Sequence, residues 1–172
     1  MSHAQVIDVR TPSRRYQVHV GERLVGELGR LTRAVCPKAT KAQVISDSNV
    51  APLYADGVVS VLAGAGLSCT VQIFEAGEAS KNIHTLSSLL EGLASDGLTR
   101  DDIVVALGGG VVGDIAGLLL TLKAFRMGRE LGVPEEKMRP AVYLALADML
   151  LGMIPVAGTL IDIFLQPTFR TM

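Results

Sequence analysis

A glycine-rich corner constrains the fold of this chain more than any other feature. The stretch from Asp102 to Asp114 has the sequence DIVVALGGGVVGD. Residues 103–107 form a short, β-branched apolar run, which is typical of a parallel strand covered on both faces. Consecutive glycines follow at 108–110, and a helix is predicted to begin near Val111. The stretch therefore predicts a buried strand, a tight turn and a helix N-terminus in direct succession.

This corner also has the chemistry of an anion-binding turn. Glycine lets a ligand approach the main chain, and the free N–H groups at a helix N-terminus favour a phosphate. A glycine-rich turn between strand and helix also occurs in many α/β proteins that bind no nucleotide. The corner alone therefore leaves a nucleotide site and a purely structural turn both open.

Composition and charge narrow the class of protein. The length of 172 residues suits one domain, or one domain and a fragment, and 49% hydrophobic residues argue against disorder. A formal net charge of −1 offers no electrostatic basis for binding nucleic acid. Cys36 and Cys69 lack metal-ligand spacing and fit a reducing compartment, and the N-terminus does not resemble a signal peptide. These features predict a cytoplasmic protein.

Strands and helices are predicted to alternate along the first two thirds of the chain. The apolar patterns place strands at 16–20, 43–46, 68–74 and 103–107. Helices are expected at 50–65 and 82–96, with a shorter one around Leu24, Leu28 and Leu31. On the last of the long helices, the apolar side is expected to carry Ile83, Leu86, Leu89, Leu90 and Leu93. This alternation predicts a Rossmann-like α/β unit with a parallel sheet.

Polar side chains follow two of the predicted strands. Asp47, Ser48 and Asn49 come directly after the strand at 43–46, and Glu78 and Lys81 follow the strand at 68–74. Ligands of open parallel sheets bind beyond the carboxyl ends of the strands, where a carboxylate can accept both hydroxyls of a ribose. A plain helix cap at 47–49 and a solvated ion pair at 78–81 are the alternatives. Convergence of these loops on one edge is more specific than any one loop.

Several motifs, in this order and spacing, resemble those of a known family. From about residue 13 to 117 the chain resembles the N-terminal, dinucleotide-binding half of 3-dehydroquinate synthase. The resemblance rests on these segments: Ser13-Arg-Arg-Tyr16, Ser46-Asp-Ser-Asn-Val-Ala-Pro-Leu-Tyr54, Ala76-Gly-Glu-Ala-Ser-Lys81 followed by Thr85, Gly97-Leu-Thr-Arg100, and Ala106-Leu-Gly-Gly-Gly-Val-Val-Gly-Asp-Ile-Ala-Gly117.

The resemblance implies a set of residues that contact NAD. They are Asp47 and Asn49 on the adenosine side, Glu78 and Lys81 at ribose and phosphate, Gly109, Gly110 and Val111 at the pyrophosphate, and Asp114 near the nicotinamide. It further implies a lyase of the shikimate pathway, which serves aromatic amino acid biosynthesis. That reaction eliminates phosphate from a seven-carbon sugar acid phosphate and closes a ring, with transient hydride transfer to NAD and a divalent metal, Zn²⁺ or Co²⁺.

Beyond Gly117 the family pattern is expected to stop. The Arg-Gly turn and Thr-Thr contact of the family do not follow, and His3, His19 and His84 all precede the glycine corner, so none matches a metal position. The sequence therefore predicts two parts, an NAD-binding domain at 1–117 and an apolar helical segment at 118–172. It also predicts that this chain alone is incomplete and inactive as a synthase.

The segment at 118–172 resembles a small, uncharacterised bacterial family with Ile-Pro-Val-x-Gly-Asp turns between apolar helices. The tetrapeptide Val-Val-Gly-Asp at 111–114 fits both patterns. A natural fusion, a truncated reading frame and an artificial join all explain this, and so does a divergent helical cap on an α/β domain. Which of these holds is left open.

Helices are expected at 115–131, 141–151 and 156–165, and their apolar sides must pack against the first domain, a second copy or lipid. Asp148 and Asp162 argue against a membrane span, so a homo-oligomer is favoured over binding to a membrane surface. A non-enzymatic helical module that binds a partner or a membrane surface is the alternative function. Intact nucleotide loops favour the NAD-binding domain, whereas the lack of metal and substrate residues favours the module.

Overall fold

The computed structural model describes residues 5–10 and 15–130, with single positions at 132, 134, 136, 139 and 140; within 123–130 it describes the backbone alone. The strands are β1 (Gln5–Arg10), β2 (Arg15–Val20), β3 (Lys41–Asp47), β4 (Ser68–Phe74) and β5 (Ile103–Leu107). The helices are α1 (Leu28–Val35), α2 (Ala51–Gly64), α3 (Ile83–Ser95) and α4 (Gly110–Glu130), with short 3₁₀ turns at Leu24–Glu27 and Glu78–Ser80. The helices predicted at 141–151 and 156–165 lie outside these residues.

A parallel sheet with strand order β4–β3–β5 forms the centre of the molecule, and helices cover both of its faces. On one face, Val44 and Val105 pack in a buried cluster with α1 and α2. On the other, Ile45 and Val104 pack in a second cluster with α3 and α4. Successive strand residues point to opposite faces, so each strand contributes to both clusters. This arrangement confirms the predicted α/β fold with a Rossmann-like parallel sheet.

The strand that leads into the glycine corner, β5, is buried along its whole length. All five residues of β5 are buried, as the prediction of a strand covered on both faces requires. Burying a Val, Leu or Ile side chain stabilises a fold by roughly 1.5–3 kcal/mol. The apolar run at 103–107 therefore fixes β5 inside the molecule and gives the glycine corner a rigid base.

The first predicted strand does not join the parallel sheet, so that part of the prediction is wrong. Residues of β2 pair antiparallel with β1, a strand that the sequence analysis did not predict, and the two form a sheet of their own. One face of this ribbon is apolar and largely exposed, with Ile7 at 43%, Tyr16 at 53% and Val20 at 45%. Period-two alternation identifies a strand with one apolar face, but it does not identify the strand's partner.

Two helix predictions need adjustment. Ile83 was expected on the buried side of α3, but its side chain is 76% exposed because it is the first helical residue and precedes the turn that packs on the sheet. Leu86, Leu89 and Leu93 are buried as predicted. The helix predicted at 115–131 is the latter part of α4, which begins at Gly110 and is continuous through Gly117. Among the described helices, none has both the length and the apolar character that crossing a membrane requires.

The amino ends of β3 and β5 are fastened together by Asp102, which precedes β5. Its Oδ1 accepts the backbone N–H groups of Thr40 at 3.0 Å and Lys41 at 2.8 Å. Its Oδ2 accepts the N–H and the hydroxyl of Thr99, each at 2.8 Å. Partial burial alone would raise the pKa of this carboxyl, but these hydrogen bonds outweigh burial and hold the pKa well below its usual range. Asp102 is therefore ionised and helps to set the register of the sheet.

Candidate functional site

The carboxyl ends of the three parallel strands lie side by side. Asp47 is opposite Phe74, and Ser46 is opposite Leu107, so β3, β4 and β5 finish at the same edge. The buried hydroxyl of Ser46 donates to the carbonyl of Leu107 at 2.6 Å and ties the last residues of β3 and β5 together. All residues assigned to NAD from the sequence lie at this edge: Asp47 ends β3, and the others lie in the loops and the first five residues of α4 beyond it. The predicted convergence of these loops is thus present in the fold.

The three glycines of the corner have different surroundings. A Cβ on Gly108 would lie 2.4 Å from Cγ2 of Val112, so this position must be glycine for α4 to pack on β5. A Cβ on Gly109 or Gly110 would meet nothing within 4 Å, and neither residue has a positive φ. Packing therefore explains Gly108, whereas neither packing nor backbone conformation requires glycine at 109 and 110. A ligand that lies against the main chain would explain both residues.

The first turn of α4 offers backbone donors beside this open space. The N–H of Gly113 donates to the carbonyl of Gly109 at 3.0 Å and closes the first turn of the helix. The N–H groups of Gly110, Val111 and Val112 precede that donor and have no intrahelical acceptor. Gly110 is exposed, whereas Val112 is buried. The corner can therefore direct backbone N–H groups towards an anion such as a pyrophosphate.

Lys81 connects the loop after β4 to the start of α4. Its side chain is 8% exposed, and its Nζ lies 2.9 Å from Oε2 of Glu78 and 2.9 Å from Oδ2 of Asp114. Burial alone would lower the pKa of this amine, but the hydrogen bonds and charges of Glu78 and Asp114 outweigh it and raise the pKa. The expected solvated pair of Glu78 and Lys81 is thus a three-membered cluster around a buried ammonium. Asp114 is its third member, which sequence spacing did not indicate.

Asp47 stabilises the turn between β3 and α2, but it is not the helix cap that was the alternative to ligand binding, because the N-cap of α2 is Val50. Its Oδ1 accepts the backbone N–H groups of Asn49 and Val50, each at 2.9 Å, and so stabilises the turn into α2. The other oxygen, Oδ2, lies towards the glycine corner, 3.4 Å from where a Cβ on Gly108 would be. Asn49 is exposed beside it. A ligand role for Asp47 is compatible with these contacts, since one oxygen stabilises the turn and the other lies towards the glycine corner.

Ser48 links the loop after β3 to the loop after β4, a role that differs from the helix cap considered for residues 47–49. Its hydroxyl donates to Oε1 of Glu75 at 3.2 Å and accepts the backbone N–H of Ala76 at 3.0 Å. Its own N–H donates to the carbonyl of Phe74 at 2.9 Å. The position of Ser48 between Asp47 and Asn49 was the sequence signal for a role at this edge. Its hydrogen-bond partners could not be predicted, because they depend on the register of β3 and β4.

In the part of the chain that the structure describes, no three His, Cys, Asp or Glu side chains group in a way that could hold a metal ion. No metal site is therefore assigned to these residues.

Known proteins are similar to this chain in fold and in sequence. A crystal structure of 2-deoxy-scyllo-inosose synthase superposes with a TM-score of 0.59 at 22% identity, over 67% of this chain and 32% of that one. A second structure of that enzyme, complexed with carbaglucose-6-phosphate, NAD⁺ and Co²⁺, gives a TM-score of 0.58 at 22% identity over 67% and 31%. The fold is therefore that of this class of synthases.

One protein family matches this chain in sequence. The family model described as 3-dehydroquinate synthase N-terminal matches residues 71–129. The 3-dehydroquinate synthase of Symbiobacterium thermophilum is 35% identical in an alignment over 159 residues that covers 90% of this chain and 42% of that protein. That of Koribacter versatilis is 32% identical in an alignment over 166 residues that covers 94% of this chain and 43% of that protein. The chain is thus related to the N-terminal region of 3-dehydroquinate synthase, as its motifs predicted, and spans less than half the length of these relatives.

The match extends further along the chain than the motifs indicated. It continues to residue 129, beyond Gly117 where the family pattern was expected to stop. The unbroken course of α4 from Gly110 to Glu130 agrees with this longer match. The alignments that cover 90% and 94% of the chain also include much of 118–172. The likeness of that segment to another helical family stays a prediction.

Proposed function

We propose that this chain provides the NAD-binding domain of a 3-dehydroquinate synthase. The observation that carries the proposal is the pair of glycines, Gly109 and Gly110, at the start of α4. They face open space, need no glycine-specific backbone angle, and lie beside helix N–H groups that favour a phosphate. A pyrophosphate that requires this room accounts for both residues.

The charged groups around the corner support the same assignment. Gly109, Gly110 and Val111 would hold the pyrophosphate through their backbone. Lys81 has committed two of its three N–H donors to Glu78 and Asp114, which leaves one for a ribose or phosphate oxygen. Asp47 and Asn49 would bind the adenosine side, and Asp114, held by Lys81, would lie near the nicotinamide.

The proposed reaction is the elimination of phosphate and the ring closure of a seven-carbon sugar acid phosphate. NAD, when bound, supplies a hydride acceptor that is regenerated within one turnover. In this proposal the chain supplies the NAD side of the site and orients the cofactor. The ligands of the divalent metal and most contacts to the substrate would come from sequence that corresponds to the rest of the relatives' length. The alternative of a non-enzymatic helical module gains no support from the comparisons.

The proposal also includes the location and the oligomeric state of the protein. A location in the cytoplasm fits a shikimate-pathway enzyme. A homo-oligomer formed through the apolar segment at 118–172 is favoured over attachment to a membrane surface.

Calorimetric titration of the purified chain with NAD, with and without Zn²⁺, tests the proposed function. We expect weak binding, and we expect Gly110→Val to abolish it because the added side chain fills the space of the pyrophosphate. The variant should fold, since a Cβ at residue 110 meets nothing within 4 Å. Gly57→Val is the matched control, because Gly57 is an exposed glycine of α2 with equally open space. Equal titrations for the wild type and Gly110→Val would disprove the proposal.

A further inference from the structure

We propose that Ser48 is a positioning residue for NAD, which acts by holding the loop at 75–81 against the turn at 47–49. The inference rests on the proposed function and deepens it, because it assigns a role to a residue that need not contact the cofactor. Ser48 lies between two residues assigned to the adenosine side, and its hydroxyl bonds only to the neighbouring loop in the contacts described.

The Ser48 hydroxyl extends the pairing of two strands past their ends. The ladder between β3 and β4 finishes with Asp47 opposite Phe74, and the N–H of Ser48 then donates to the carbonyl of Phe74. Beyond this pair the main-chain ladder ends, and the N–H of Ala76 donates instead to the hydroxyl of Ser48 at 3.0 Å. The same hydroxyl donates to the side chain of Glu75 at 3.2 Å. A side chain thus replaces a main-chain acceptor where the regular ladder has ended.

The direction of the loop is decided at this point. Gly77 follows Ala76 and has a φ of +114°, a conformation that strongly favours glycine, so the chain turns sharply there. Fixing Ala76 therefore fixes where the turn begins. The 3₁₀ turn Glu78–Ser80 comes next and delivers Lys81 to Asp114. A loss of the Ser48 contact should displace Lys81, although Ser48 does not touch it.

The alternative is that Ser48 only stabilises a local turn. In that case its removal would lower stability without changing the affinity for NAD. A positioning role instead predicts a loss of affinity that depends on the hydroxyl itself. Ser48→Ala removes both hydrogen bonds and keeps the Cβ, whereas Ser48→Thr restores the hydroxyl and adds one methyl group to a partly exposed residue. Ser60→Ala removes an exposed hydroxyl from α2 and is the matched control.

Two measurements on the 172-residue chain test the inference. Calorimetry with NAD should show about three- to tenfold weaker binding for Ser48→Ala, as expected for one or two modest hydrogen bonds. Ser48→Thr and Ser60→Ala should bind within about twofold of the wild type. Hydrogen exchange without NAD should show faster exchange of the Ala76 amide in Ser48→Ala and protection restored in Ser48→Thr. The amides of β5 should stay protected in all variants, which shows that each one is folded.

The outcomes separate this inference from the proposed function. If the wild type binds NAD and Ser48→Ala binds it equally well, the positioning role is wrong and the proposed function stands. If Ser48→Thr is as weak as Ser48→Ala, the hydroxyl is not the cause, and the inference is again wrong. Unchanged exchange at Ala76 in Ser48→Ala would overturn it as well. If the wild type does not bind NAD, the proposed function fails, and this inference fails with it.

Discussion

The carboxylate of Asp102 offers the most quantitative test of how the sheet is held together. It accepts hydrogen bonds from the start of β3 and from the turn before β5. Oδ1 accepts from Thr40 and Lys41, and Oδ2 accepts from Thr99. Asp102→Asn keeps the size of the side chain but replaces one acceptor oxygen with an NH₂ donor. Whichever way the amide turns, one of the two sets of backbone donors loses its acceptor.

The expected loss follows from the contacts. A hydrogen bond to a charged group contributes roughly 1.5–3 kcal/mol, and a buried donor without a partner costs about 1–3 kcal/mol. Asp102 is partly exposed, so water can satisfy part of what is lost. The Thr99 hydroxyl can also rotate to accept from the new NH₂ group. We therefore expect Asp102→Asn to lower the free energy of unfolding by about 2 kcal/mol at pH 7.

The difference should depend on pH with a defined sign. The pKa of Asp102 is depressed in the folded state, whereas an unfolded Asp titrates near about 3.9. Its contribution is therefore complete above the unfolded value and is lost as the pH falls towards the folded value. At pH 3 the carboxyl of Asp102 is protonated in most unfolded wild-type molecules, whereas it stays ionised in most folded ones. The gap between the wild type and Asp102→Asn should shrink by about 1 kcal/mol between pH 7 and pH 3.

Urea unfolding followed by circular dichroism at pH 7, 5 and 3 measures these values. Asp101→Asn is the control, because Asp101 is the exposed neighbouring carboxylate, and its change should stay within about 0.5 kcal/mol. The reasoning is refuted if Asp102→Asn is no more destabilising than Asp101→Asn at pH 7. It is also refuted if the gap is as large at pH 3 as at pH 7.

Two further predictions concern the site. Lys81→Met leaves Glu78 and Asp114 without their shared cation, so NAD binding measured by calorimetry should weaken by about tenfold or more, whereas the exposed Lys38→Met should have no effect. The 172-residue chain alone should release no phosphate from the seven-carbon substrate above the enzyme-free blank, with NAD and Zn²⁺ or Co²⁺ present; release that disappears on Asp114→Ala would contradict this.

The parallel strands could be predicted because their short apolar, β-branched runs are a local property of the sequence. The strand expected at 68–74 has the same bounds in the structure, and the apolar run at 103–107 is β5. In contrast, the partner of β2 could not be predicted. Residues 5–10 contain Val6 next to Ile7, which breaks the alternation, and nothing local distinguishes an antiparallel ribbon from an edge of the main sheet.

The location of the site was accessible from the sequence, but its internal contacts were not. Loops that follow parallel strands must meet at one edge, so the positions of Asp47, Lys81 and Gly109 followed from the order of the elements. The pairing of Lys81 with Asp114 depends on how α4 lies relative to the loop after β4. The roles of Ser48 and Asp102 depend on strand register in the same way. Motif spacing contains no information on these distances.

The contacts between the loops would determine how much ordering the proposed NAD binding requires. Ser48 fixes the start of the loop after β4, and Lys81 fixes its end to α4, which itself packs on the buried core. Side chains and loops that are immobilised only on binding reduce affinity by about 0.5–1.5 kcal/mol for each flexible side chain. A loop held at both ends before binding avoids much of this cost. In the proposed function, the backbone of the glycine corner would supply the contacts to the anion, and the two links would decide whether the loop side chains are already in place to add theirs.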